Sequence, residues 1–151
     1  MDIEILKGLA VAGGYASVVL GAVGSALGTG IAGMAAIGAW KKRYAQNKQA
    51  PFLLMVFAGA PLSQTIYAMV LMMLIKNNLV EATAASAIMY AIVGFLAGIG
   101  FLLSALLQGK AGACASDAFG ETDKGFANYL MILGVVETVA LFTLVFAIMI
   151  L

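Results

Sequence analysis

Glu137 lies about twelve residues into an apolar run that extends from about residue 126 to 151, with no basic residue at comparable depth. At a rise of roughly 1.5 Å per residue, a helix would hold it near the middle of that run. Lys110, in the preceding apolar run, falls nearer that run's end, where its long side chain can reach an interface. An ionisable residue inside lipid is costly and marks function. Without a cationic partner it has two outcomes: it takes up a proton, because desolvation disfavours the charge, or it binds a cation.

Two carboxamides, Gln64 and Gln108, fall within other apolar runs and offer carbonyl oxygens, the ligand type that hard cations prefer. Ser63 adds a hydroxyl beside Gln64. Pro61 lacks an N–H, which leaves the Phe57 carbonyl one turn earlier without its usual partner and can tilt the carbonyl of Ala60. Tyr67 follows Gln64 by three residues, so the two share a helix face and the phenol can hold the carboxylate. Thr65 and Thr138, next to Gln64 and Glu137, are candidate supporting hydroxyls. Histidine is absent, which removes the commonest general base and most transition-metal chemistry. The single cysteine, Cys114, excludes an internal disulfide and reads as packing in a small-residue stretch.

The elements that must position these groups are transmembrane helices. Of 151 residues, 64% are hydrophobic and 10% charged, with a mean hydropathy of +1.07. A soluble domain would be about a quarter charged. Four segments, about 9–39, 52–75, 87–116 and 126–151, reach the roughly 20 apolar residues a membrane helix needs. None alternates as a membrane strand would. The fold class is therefore all-α integral membrane, a single domain over residues 1–151. A net charge of +1 gives no case for nucleic acid as a partner. The first run is too long for a signal peptide, and Asp2 and Glu4 replace the cationic region.

Lys41, Lys42, Arg43 and Lys48 crowd the first loop, which places it in the cytoplasm. Four helices then put both termini and the second loop outside. The third loop, around Glu121, Asp123 and Lys124, must be cytoplasmic although it is net acidic.

The chain also repeats. SQTIYAMVL at 63–71 aligns with VETVALFTL at 136–144, setting Gln64 opposite Glu137 and Thr65 opposite Thr138, while Ser25 falls opposite Gln108. Each half, about 9–75 and 87–151, is a helical hairpin of the same sense, a parallel repeat. Small residues recur every four positions at Gly24, Gly28, Ala32 and Ala36, and at Ala105, Gly109 and Ala113. This spacing lets helix backbones approach closely in lipid. The first helices of the two halves are expected to form a tightly packed common layer, as the inner ring of an oligomer requires.

With GSALGTG at 24–30, APLSQTIY at 60–67, LLQGKAGA at 106–113 and VVETVALF at 135–142, the chain resembles the proteolipid subunit of rotary V-type and A-type ATPases. The resemblance implies a homo-oligomeric rotor ring in the cell membrane, with first and third helices inside and second and fourth outside. It also implies a stator subunit bearing a membrane arginine, past which the fourth-helix glutamate moves its ion, and central-stalk subunits on the cytoplasmic side. In the sodium-binding members the matching positions are Glu137, Gln64, Gln108, Ser63 (where threonine is common) and the carbonyl of Ala60, with Tyr67 in support. Gln64 stands where the first repeat would hold its own carboxylate, so one ion per chain is implied. The chain has no Walker-type phosphate-binding loop and performs no hydrolysis itself.

Sodium is the expected ion, because two extra carboxamides buried without a ligand would be unfavourable in lipid. The alternative is the same ring carrying protons. A small four-helix multidrug-type transporter is the further rival, but such proteins place the glutamate on the first helix and have aromatic substrate walls. A passive pore would leave Glu137, Gln64 and Gln108 unexplained.

Overall fold

Helix α1 (Ile3–Ala45) and helix α4 (Ala84–Thr122) run parallel along one seam in the computed structural model, which describes residues 2–151. The seam is made of glycine. A Cβ on Gly13 would stand 2.4 Å from the Ala91 carbonyl oxygen, one on Gly24 2.6 Å from that of Leu102, and one on Gly28 2.3 Å from that of Ala105. From the other side, a Cβ on Gly109 would meet the Cα of Gly28 at 2.2 Å and one on Gly120 the Cβ of Ala39 at 2.6 Å. No side chain fits at these points, so the backbones themselves touch, the mode of association that lipid favours. Gly24, Gly28, Ala32, Ala36, Ala105 and Gly109 are all buried. Ala113 is only half-buried, and Gly112 takes its place on the packed face, because the helical repeat of 3.6 alternates steps of three and four.

The second span is not one helix. It consists of α2 (Leu54–Gly59), a 3-10 turn (Ala60–Leu62) and α3 (Ser63–Asn78). Pro61 sets the break, since Phe57 cannot receive the usual bond from its nitrogen. The freed Phe57 carbonyl lies against Gly112, where a Cβ would come within 2.7 Å of it. Helix α5 (Phe126–Ile150) completes a four-membered circuit: α3 packs on α1, α4 and α5, and α5 also packs on α4. All four spans are long and apolar enough to cross a membrane, and there is no strand among the described residues. The chain is a multi-pass membrane protein.

Two helices exceed their expected limits. α1 has 43 residues, about 64 Å at 1.5 Å each, against a hydrocarbon core of roughly 30 Å. Apolar runs mark what lipid requires, whereas hydrogen bonding carries a helix on to its caps. Asp2 caps α1 by accepting the Glu4 N–H, and Thr83 caps α4 by accepting that of Ser86. The third loop, expected from Gly120, shrinks to a turn at 123–125, with Asp123 at φ 54° and Gly125 at φ 83°. Glu121 pairs with Lys42 and Asp123 with Arg43, so the acidic third loop is held against the basic first loop at one end of the bundle. At the other end Asn78 and Tyr90 both donate to the Leu151 carbonyl, at 3.3 and 2.9 Å.

The apolar core divides in two. One cluster includes Ala68, Leu71, Ile75, Phe101 and Ala140; the other includes Leu54, Phe57, Phe119 and Leu133. Phe57 forms the centre of the second, with its ring 5.2 Å from that of Phe126 and 6.2 Å from that of Phe119. Along every span the gap between the clusters falls at the same polar residues: Ser25, Gln64, Ser104, Gln108 and Glu137.

Candidate functional site

A polar belt thus interrupts the bundle, and its members come from three spans. Gln64 and Gln108 are fully buried, each 0% exposed, while Glu137 is half-buried on α5. The Tyr67 phenol donates to Oε1 of Glu137 at 2.5 Å, and Nε2 of Gln108 donates to Oε2 at 3.2 Å. The same Nε2 also donates to the Leu133 carbonyl at 3.0 Å. Oε1 of Gln108 accepts from Nε2 of Gln64 at 2.8 Å. No Lys or Arg forms an ion pair with Glu137; every salt bridge among the described residues joins other groups. The carboxylate is therefore held by neutral hydrogen bonds alone.

Next to this relay lies a set of oxygens. The hydroxyl of Ser63 is 3.1 Å from the Ala60 carbonyl and 3.2 Å from Oε1 of Gln64. Ser63 also neighbours the Tyr67 phenol, which links this set to Glu137. The 3-10 turn produces the arrangement. A tighter helix of three residues per turn brings residues 60 and 63 into line on one side, and the Ser63 backbone N–H reaches the same Ala60 oxygen. Pro61 itself is buried beside Gly28, whose Cβ would stand 2.8 Å from the Pro61 ring.

The belt joins Glu137, Gln64, Gln108, Ser63, Tyr67 and the Ala60 carbonyl. It does not include the two threonines. Thr65 turns to α1 and donates to Ser25 at 2.8 Å, closing the first hairpin with a pair of hydroxyls. Thr138 is exposed and donates back to the Val135 carbonyl of its own helix at 2.7 Å. A residue one step along a helix points about 100° away, so adjacency to Glu137 takes Thr138 off the site.

Sequence reasoning misses one group. Ser104, 4% exposed, accepts from Nε2 of Gln64 at 3.4 Å and donates to the Val136 carbonyl at 3.2 Å. The available signal is its position four residues before Gln108, on the same face of α4.

Chemically, the belt brings a single carboxylate, two carboxamides, a hydroxyl and a peptide carbonyl together in an apolar bundle. It holds no cluster of histidine, cysteine or acidic residues of the kind that binds transition metals, among the described residues. Its donors are neutral oxygens around one negative charge, which suits a monovalent hard cation or a proton. No curated protein matches the chain. Residues 84–150, which span α4 and α5, match the family model of the ATP synthase proteolipid, the c subunit, and this match supports a c-ring protomer.

Proposed function

We propose that the chain is one protomer of the membrane rotor ring of a rotary V/A-type ATPase, binding one sodium ion at Glu137. The observation that carries the reading is the belt itself: Glu137, Gln64, Gln108, Ser63 and the Ala60 carbonyl at one depth, with no basic side chain paired to the carboxylate. A dehydrated sodium ion needs about five oxygens at once, by analogy with other hard-cation sites. Glu137 supplies the charge that neutralises it. Ser63, Gln64 and Ala60 supply three neutral oxygens. Gln108 steadies Glu137 through Nε2 while its Oε1, with two lone pairs, has one to spare beside the bond from Gln64. Tyr67 holds the carboxylate from the other side.

Neutralisation is what transport requires. A bare carboxylate turned to lipid costs several kcal/mol, and a filled site does not. The loaded protomer rotates through lipid and unloads where a stator arginine on another subunit offers Glu137 a competing partner. The ring is homo-oligomeric and lies in the cell membrane, with loops one and three cytoplasmic, both termini outside, and the central stalk docked on the cytoplasmic face.

The second reading, a proton in place of sodium, draws on the same hydrogen bonds from Tyr67 and Gln108, which already satisfy both oxygens of Glu137. A carboxyl-reactive carbodiimide separates the two, because it attacks the protonated acid. In detergent, sodium should slow modification of Glu137 at a pH where potassium at equal ionic strength does not. Modification that follows pH alone, indifferent to sodium, would mean that the ring carries protons.

A further inference from the structure

We infer that Ser104 is a positioning residue that fixes which way the Gln64 carboxamide faces, and so keeps the Gln64 oxygen turned toward the cation. The inference rests on the sodium reading above. An amide side chain can present either its oxygen or its NH2 to a given neighbour, and only hydrogen bonding decides between them. Here the decision begins at two backbone carbonyls of α5 that can only accept. Leu133 takes one hydrogen of Gln108 Nε2, and Val136 takes the single hydrogen of the Ser104 hydroxyl.

Both side chains are thereby polarised. Gln108, with its NH2 committed to Leu133 and Glu137, turns Oε1 toward Gln64. Ser104, its proton spent on Val136, can only accept from Gln64. Gln64 therefore meets two acceptors, Oε1 of Gln108 at 2.8 Å and Oγ of Ser104 at 3.4 Å, and must point both of its N–H bonds at them. Its oxygen is left for the other side, where it sits 3.2 Å from the Ser63 hydroxyl. A reversed Gln64 would oppose its oxygen to that of Gln108 and turn its NH2 into the oxygen set, repelling a cation. Removing the Ser104 acceptor gives up one of the two bonds that forbid the reversal. Because Gln64, Ser104 and Gln108 are all buried, water cannot replace it.

The test compares Ser104→Ala with Ser104→Thr, which keeps the hydroxyl, in assembled rings. Two quantities are read: the sodium concentration that half-protects Glu137 from carbodiimide, and the pH dependence of labelling in the absence of sodium. The lost bond should raise half-protecting sodium about fivefold in Ser104→Ala, the equivalent of one net hydrogen bond. Ser104→Thr should stay close to wild type. The sodium-free pH dependence should not move, since both bonds to Glu137 itself persist. Should Ser104→Ala fail to assemble, Ser104→Cys, with its weak acceptor, takes its place with the same expectation. Wild-type protection by sodium with no loss in Ser104→Ala would overturn the inference and leave the sodium reading standing. Equal loss in Ser104→Ala and Ser104→Thr, or a shifted sodium-free profile, would reduce Ser104 to packing and overturn it too. Absence of sodium protection in wild type would sink both.

Discussion

Gly109→Ala adds one methyl group at the tightest point of the bundle. Its carbon would stand 2.2 Å from Cα, 2.3 Å from the carbonyl oxygen and 2.5 Å from the carbonyl carbon of Gly28. Carbon atoms rest at about 3.5–4.0 Å, so α1 and α4 must part by at least ~1.3 Å there, the difference between 3.5 and 2.2. The obstructing atoms are backbone, so no rotamer change relieves the clash. A radial gap of 0.5–1 Å already forfeits about a quarter to a half of a contact's dispersion energy, and the opening spreads along a seam that runs from Gly13 to Gly120. Overpacking a core with movable side chains costs about 1–3 kcal/mol; this substitution should cost at least the upper end. The assay is thermal unfolding and recovery of the oligomer in mild detergent. Gly8→Ala and Gly38→Ala are the controls, since an added Cβ meets nothing within 4 Å at either position. Those two should be neutral or stabilising by about 0.5–1 kcal/mol, the ordinary gain of Ala over Gly within a helix. Gly109→Ala protein that melts with wild type, or controls that lose as much as it does, would refute the account of the seam.

Glu137→Gln nearly keeps the volume and removes the charge, so ATP-driven ion transport should vanish from complexes whose ring still assembles; transport above background would place the ion path elsewhere. Cysteines at positions 46 and 81, in a Cys114→Ala background, should label from opposite faces of intact vesicles, and labelling from one face would defeat the four-span topology. Gln64→Glu should leave bound sodium at no more than one per chain, measured by equilibrium binding to purified rings; two per chain would contradict the role given to Gln64.

How far the sequence reveals this site depends on how conspicuous each group is in an apolar run. Gln64, Gln108 and Glu137 stand out because nothing else polar and long occupies that depth, and the structure gathers all three. Ser104 does not stand out: a small hydroxyl among leucine and alanine reads as packing, and only its hydrogen bonds to two other helices reveal it. Thr138 misleads in the opposite way, because sequence adjacency to Glu137 is angular separation on a helix. A strict step of four puts Ala113 on the seam, whereas the seam follows the real helical repeat and uses Gly112. The acidic third loop, at odds with the basic first loop by charge counting, is explained once Lys42 and Arg43 are seen to pair with Glu121 and Asp123. Such pairing is a tertiary contact across about eighty residues of chain, which local sequence cannot supply.

The two hairpins divide the work unequally. In the first, Thr65 and Ser25 join α3 to α1 through neutral hydroxyls, and Gln64, at the position aligned with Glu137, crosses over to the second hairpin instead. In the second, Gln108 reaches from α4 to Glu137 on α5. A carboxylate at position 64 would have to lie fully buried one carboxamide away from Glu137, facing Oε1 of Gln108 and a Ser104 hydroxyl whose proton is already used. Two like charges at such a spacing in a low-dielectric interior cannot both remain ionised. A glutamine avoids this while keeping the oxygen that a cation needs and adding the two donors that orient it. On the proposed function, the single ion per chain is therefore a consequence of the cross-hairpin bond. The same contact that completes the coordination shell for Glu137 excludes a second charge from the first repeat.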